Sequence, residues 1–151
     1  SMGMSFAGGL ALACKKKGLS SRVFALVGDG ECDEGLIWES AMSAASYGLN
    51  NFIVIVDRNK LQYDGLTTEV MNQMDLGEKF KAFGFEVRIV DGHNPDVLVE
   101  ALNTLSEKPI CVIADTIKGK GVSFMEGQKE WHHHTLTKEQ YIQAKEEVEN
   151  V

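Results

Sequence analysis

Proline is scarce, at two in 151 residues, and no repeat or low-complexity stretch interrupts the chain. With nothing that reads as a linker, residues 1–151 are expected to form one domain. The three cysteines (Cys14, Cys32 and Cys111) are odd in number, far apart and without metal-binding spacing. They exclude a disulfide framework and read as free thiols of a reducing compartment, which points to the cytoplasm. Basic charge is in deficit: 15 Lys and Arg stand against 22 Asp and Glu, a net charge of −7. Nucleic acid is therefore not an expected partner, because phosphate binding needs a basic face that releases counterions. No apolar run approaches the ~20 residues of a membrane span, so no membrane is expected, and the first residues carry no signal-peptide pattern. What is present is ordinary for a globular domain, with 44% apolar and 25% charged residues. A chain of this length can bury roughly two thirds of its unfolded surface without staples.

Hydrophobic patterning alternates between two periods. Gly3 to Lys17 reads as a helix with Met4, Phe6, Leu10 and Ala13 as apolar positions, closed by Gly18. Gly8 and Gly9 within it imply a close approach to another element. Arg22 to Val27 and Asn51 to Asp57 are apolar at nearly every residue, as expected of parallel strands covered on both faces. A helix from Glu34 to Tyr47, closed by Gly48, separates them. The pattern repeats with a helix over Leu76 to Phe83 and a strand over Phe85 to Val90. Asn94-Pro95 opens a helix carrying Val97, Leu98, Ala101, Leu102 and Leu105 that must stop near Lys108-Pro109. Ile110 to Ala114 is a fourth strand, and a polar helix starts near Lys138. The fold class is α/β, with a mainly parallel sheet flanked by helices on both faces.

In such a sheet the strand-to-helix turns at the carboxyl ends of the strands bind ligands. Two turns carry chemistry. Gly28-Asp29-Gly30 follows the first strand and Asp57-Arg58-Asn59-Lys60-Leu61 the second. If the strands are neighbours, the Asp29 carboxylate and the Asn59 amide oxygen face one small volume. Gly28 and Gly30 let backbone N–H groups approach an anion near the positive end of a helix. Hard oxygen ligands beside a phosphate cradle suit Mg2+ or Ca2+ shared with a phosphorylated cofactor. A lone Gly-Asp-Gly is more often only a tight turn. The Asn thirty positions later, after a second strand, makes the pair far more specific.

The stretch GDGECDEGLIWESAMSAASYGLNNFIVIVDRNKLQYDG, residues 28–65, resembles the thiamine diphosphate motif of transketolases. SMGMSFAGGLALA resembles the end of that family's glycine-rich segment, VDGHN a structural turn, and IKGKGVSFMEGQKEWHHH the loop with an active-site histidine. The KGKGVSF wording is closest to transketolases whose two halves are separate polypeptides. The resemblance implies thiamine diphosphate and Mg2+ or Ca2+ as cofactors. The ion would be held by Asp29, the Asn59 side chain and the Leu61 main-chain carbonyl. It assigns Gly28, Asp29, Gly30, Glu31, Asn59, Leu61, Tyr63, Lys118 and His132 to cofactor binding, and His132 to catalysis, with His133 the alternative register. Glu34 and Glu39 match acids at the family's dimer interface, although acids in a helix's first turns also suit its dipole. Lys118 and Lys120 can meet phosphate charge, but loop lysines are more commonly only solvated. His93 reads as structural, Cys32 has no partner base, and three adjacent histidines cannot all face one ion in a regular helix or strand.

The resemblance also implies a partner. The family's cofactor-activating glutamate sits on a pyrimidine-binding domain, and nothing in these 151 residues corresponds to it. The chain enters the family pattern within the glycine-rich segment, so it is expected to be truncated at its N-terminus or drawn from a split enzyme. Assembly with a pyrimidine-binding domain or subunit, dimeric or heterotetrameric, would then transfer a two-carbon ketol unit between sugar phosphates. Alone, the chain would be inactive. The competing readings are another thiamine enzyme (a deoxyxylulose phosphate synthase or a dehydrogenase E1 component) and a non-catalytic module that binds a partner chain. A metal-dependent phosphatase fits poorly, because the paired-aspartate nucleophile motif after the first strand is absent.

Overall fold

The structure, a computed structural model, describes residues 2–149. Ser1, Asn150 and Val151, which the expected 1–151 span includes, lie outside the described residues. Four parallel strands form the main sheet: β1 (Val23–Gly28), β2 (Phe52–Arg58), β5 (Glu86–Asp91) and β6 (Ile110–Asp115), in the order β1-β2-β6-β5. Helix α1 (Met2–Lys16) precedes β1, and α2 (Gly35–Ser46) links β1 to β2. From β2 the chain runs through a small antiparallel hairpin, β3 (Leu61–Gln62) and β4 (Gly65–Leu66), then α3 (Thr67–Val70) and α4 (Leu76–Ala82), to the far edge. Helix α5 (Pro95–Asn103) returns it to β6, and α6 (Lys138–Glu149) ends the described chain. The expected adjacency of the first two strands holds, with Gly28 level with Asp57.

The helix ends follow local chemistry. Asn94 accepts the N–H groups of Asp96 and Val97 with Pro95 in the first turn, and Asp75 accepts that of Glu78 at the start of α4. Gly18 and Gly48 close α1 and α2 at φ of 66° and 56°, a region that disfavours side chains with Cβ. The larger core lies between one sheet face and α1, α2 and α4; α5 packs on the other face. β2 runs through the middle, and Phe52, Ile53, Val54 and Val56 are fully buried. Each such side chain contributes on the order of 1.5–3 kcal/mol.

Four expectations are corrected here. β1 is not covered on both faces: Phe24 and Leu26 are 47% and 71% exposed, because α5 spans β5, β6 and part of β2 but stops short of β1. In α1 the buried stripe is Met4, Ala7, Ala11 and Cys14, whereas Phe6, Leu10 and Ala13 face outward. Past Met4 that stripe is made of small residues, but the close approach expected at Gly8 and Gly9 is absent: a Cβ on Gly9 would meet nothing within 4 Å and one on Gly8 only Phe52 at 4.0 Å. Helix α5 ends at Asn103, not near Pro109: Thr104 turns to extended backbone (ψ 120°), and the Ala101 carbonyl that a helical Leu105 N–H would need accepts from the Arg88 guanidinium instead; Leu105 is left 79% exposed.

Candidate active site

The carboxyl ends of β1 and β2 hold one buried acid between two turns. Asp29 leaves β1 with its N–H on the Asp57 carbonyl (3.1 Å) and caps a 3-10 turn over Gly30–Asp33. It is 2% exposed. Its Oδ1 accepts the Gly30 N–H (2.9 Å) and its Oδ2 the Lys60 N–H (2.7 Å), the latter presented by a left-handed Lys60 at φ 66°. Burial raises its pKa, opposed by these two N–H groups and reinforced by the neighbouring Asp57 carboxylate. Gln73, itself buried, reaches in from the segment between α3 and α4. Its Nε2 donates to the Asp29 carbonyl (2.6 Å) and to Asp33 Oδ1 (2.8 Å). Trp38 steadies the same turn from α2, its Nε1 donating to the Cys32 carbonyl at 2.9 Å while its ring packs on Phe80 and Phe83.

Across from Asp29, Asn59 Oδ1 accepts the Leu61 N–H (3.0 Å) and Asn59 Nδ2 donates to Asp57 Oδ2 (3.3 Å). A cavity of about 460 Å³ opens between these turns, the β3–β4 hairpin and the histidine loop. All nine residues expected at a cofactor line it: Gly28, Asp29, Gly30, Glu31, Asn59, Leu61, Tyr63, Lys118 and His132. Glu34, Asp57 and Gln62 line it too. The signal for Asp57 was its place two residues before Asn59 on an apolar strand; the hairpin that delivers Gln62 is too short to leave a hydrophobic period. The expectation that Gly28 and Gly30 hold bare N–H groups toward an anion is corrected. The Gly28 N–H is taken by Glu31 Oε2 (3.3 Å) and the Gly30 N–H by Asp29. Gly30 is required for a different close approach, since a Cβ there would lie 2.7 Å from Gln62 Oε1 and 2.9 Å from its Cβ.

Residues 8–149 match the family model described as the transketolase, thiamine diphosphate binding domain. The chain belongs to this family. It is 42% identical over 150 residues to one of the subunits of the apulose-4-phosphate transketolase of Actinobacillus succinogenes, covering 98% of this chain and 54% of that one. It is likewise 42% identical over 150 residues to the 6-deoxy-6-sulfo-D-fructose transketolase subunit SqwG of Clostridium sp. (97% and 54%). The transketolase crystal structure from Campylobacter jejuni superposes with a TM-score of 0.92 at 31% identity, covering 98% of this chain and 25% of that one. The chain thus spans about half the length of the curated relatives it matches.

The transketolase-type cavity presents an all-oxygen donor set. Among the described residues no three His, Cys, Asp or Glu side chains converge as a metal cluster. An ion here would rest on a carboxylate, an amide oxygen and a carbonyl, completed by oxygens of a bound phosphate, which suits hard divalent cations. Each Asp29 oxygen accepts a single N–H, leaving a lone pair, and a cation would relieve the repulsion between Asp29 and Asp57. The residues fit the group.

The three histidines separate. His132 lies on the cavity wall with its ring 6.0 Å from that of Tyr63, edge on. His134 stacks its edge on Trp131 and places Nδ1 2.9 Å from the Thr135 carbonyl; neither it nor His133 lines the cavity. His93 accepts the Ile117 N–H on Nε2 (2.7 Å), which fixes its proton on Nδ1 and pins the loop carrying Lys118. Lys120 reaches Glu126 at 3.5 Å. Burial, with Asp29, Glu31 and Asp33 nearby, pushes the Cys32 thiol up to about 12, so it holds its proton at neutral pH. Glu34 lines the cavity, and Glu39 lies on the groove between α1 and α2.

Proposed function

We propose that this domain is the diphosphate- and metal-binding part of a transketolase whose two halves are separate chains, that residues 1–151 act in it as one unit, and that it works in the cytoplasm with a pyrimidine-binding partner in a dimeric or heterotetrameric assembly. The observation that carries the reading is a single cavity that gathers Asp29, Asn59, Leu61, Lys118 and His132 in a chain 42% identical to one subunit of a transketolase. Sugar phosphates or related ketoses are the substrate class, by analogy with the ketoses in the names of those relatives. When bound, thiamine diphosphate supplies the carbon nucleophile that takes up a two-carbon ketol unit and passes it to an aldehyde. The chain's own residues bind and orient. Asp29, the Asn59 amide oxygen and the Leu61 carbonyl would hold Mg2+ or Ca2+, and through the ion the diphosphate; the Gly28–Glu31 turn walls that end of the cavity; the Lys118 ammonium would offset phosphate charge. Tyr63 forms the wall beside His132, whose imidazole holds or releases a proton at a substrate hydroxyl. The cation site and the histidine face one cavity, so binding and proton transfer take place within one volume.

Calorimetric titration of thiamine diphosphate into the chain assembled with its partner subunit, with and without Mg2+, tests this. Asp29→Ala should weaken Mg2+-dependent binding by more than the roughly 10–100-fold that follows loss of an outer-shell partner, and more than Asn59→Ala, because it removes charge as well as a ligand. Binding indifferent to both Mg2+ and Asp29 would refute the assignment.

A further inference from the structure

An amide can face a cation correctly in only one of its two orientations. The groups around Asn59 permit only one. On one side stands the Asp57 carboxylate, which only accepts, and on the other the Leu61 N–H, which only donates. Asp57 is held in turn. The Thr116 hydroxyl donates to Asp57 Oδ1, leaving Oδ2 for Asn59. Thr116 is fixed by its N–H on the Arg58 carbonyl (3.2 Å), and its methyl sits against Gly92, where a Cβ would approach Thr116 Cγ2 to 2.5 Å. Arg58 grips Asp115 with two hydrogen bonds of 2.6 and 2.7 Å, closing the ends of β2 and β6 around Asp57.

We propose that Asp57 is a positioning residue: anchored by Thr116, it holds the Asn59 amide with its nitrogen turned back and its oxygen toward the cation. The inference rests on the functional reading above. A carboxylate at 57 accepts from Asn59 and Thr116 whichever way it turns, and its charge strengthens the bond that orients Asn59. An amide there meets both only with its oxygen toward Asn59 and its NH2 toward a Thr116 hydroxyl turned to accept; turned over, it sets NH2 against NH2, and either way the charge-assisted hold on Asn59 is lost.

The measurement is the Mg2+ concentration that half-saturates thiamine diphosphate binding to the assembled protein, read by calorimetry, with thermal melting as the folding control. Asp57→Asn should raise it by roughly 10–100-fold, the usual cost of losing an outer-shell orienting group. Thr116→Val, which keeps the charge and the shape, should raise it by at least about threefold, and Thr116→Ser should restore the parent value. The decisive comparison uses Asn59→Asp, whose two oxygens have no wrong end. In that background Asp57→Asn should cost less than about twofold or improve binding, since it also removes a like charge. An Asp57→Asn effect below about twofold beside Asn59, or one of equal size in both backgrounds, overturns the inference while leaving the functional reading standing. Binding that needs no metal in the unsubstituted protein overturns both. If Asp57→Asn does not fold, Thr116→Val decides: no change in half-saturating Mg2+ overturns the inference.

Discussion

His132, His133 and His134 are chemically identical, and only their surroundings distinguish them. His132 ends a 3-10 turn over Lys129–His132 and meets Tyr63 across the cavity, whereas His134 is engaged with Trp131 and the Thr135 carbonyl. His132→Ala in the assembled enzyme should lower kcat/KM by about 10²–10⁴-fold, the span for a positioned acid–base group. His134→Ala should leave it nearly unchanged. Both should shift stability by less than about 0.5 kcal/mol, because neither side chain is buried in a core. A loss confined to His133→Ala would move the register by one residue, and equal tolerance of all three substitutions would remove His132 from the site. The residue types of this site were legible in the sequence because Asp29 and Asn59 follow apolar strands at a fixed interval. Gln73 was not. It comes from a polar stretch without periodicity, and only the folded chain brings its amide to the Asp29 carbonyl.

The ends of β2 and β6 are joined by Arg58 and Asp115, and this clamp is a pH-dependent element. The Arg58 guanidinium holds the Asp115 carboxyl below its usual range. A depressed carboxylate contributes stability above its unfolded pKa of about 3.9 and loses it as pH falls through the folded value. Asp115→Asn should therefore destabilise the chain at pH 7, by at most about 1 kcal/mol because the Asp115 side chain is 42% exposed and screened. Urea unfolding should show the gap between parent and variant shrinking below about pH 4; a gap unchanged at pH 3 would deny the clamp this role. At the scale of elements, hydrophobic period and capping residues made most of the fold readable, including Asn94-Pro95 and both helix-closing glycines. Coverage was not readable. Phe24, Leu26, Phe6 and Leu10 look like core residues by type, and what exposes them is which helices lie over which strands. Leu105 falls outside its expected helix because Arg88, from β5, takes the Ala101 carbonyl that its N–H would need, a tertiary contact that apolar spacing does not register.

For the whole molecule, the activity and the solution behaviour of the chain can be tested separately. The chain spans 54% of the transketolase subunits it matches. Ketol transfer needs a second, cofactor-activating domain, so the purified chain should show no turnover with ketose and aldose substrates and thiamine diphosphate, and mixing with its partner should restore it. Turnover by the chain alone would contradict the split reading outright. A separate exposed surface bears on its behaviour in solution. Phe24 and Leu26 stand side by side with Ile55 on a sheet face that no helix covers at β1, and β1 pairs only with β2 among the described strands. An apolar patch beside an unpaired strand edge favours self-association. Sedimentation velocity over about a tenfold concentration range should show the isolated chain growing beyond a monomer. Leu26→Lys should suppress that growth without lowering the melting temperature, because the side chain is already 71% exposed and loses little packing. Self-association unchanged by Leu26→Lys would move the contact elsewhere, with the outward Phe6 and Leu10 of α1 the next surface to charge.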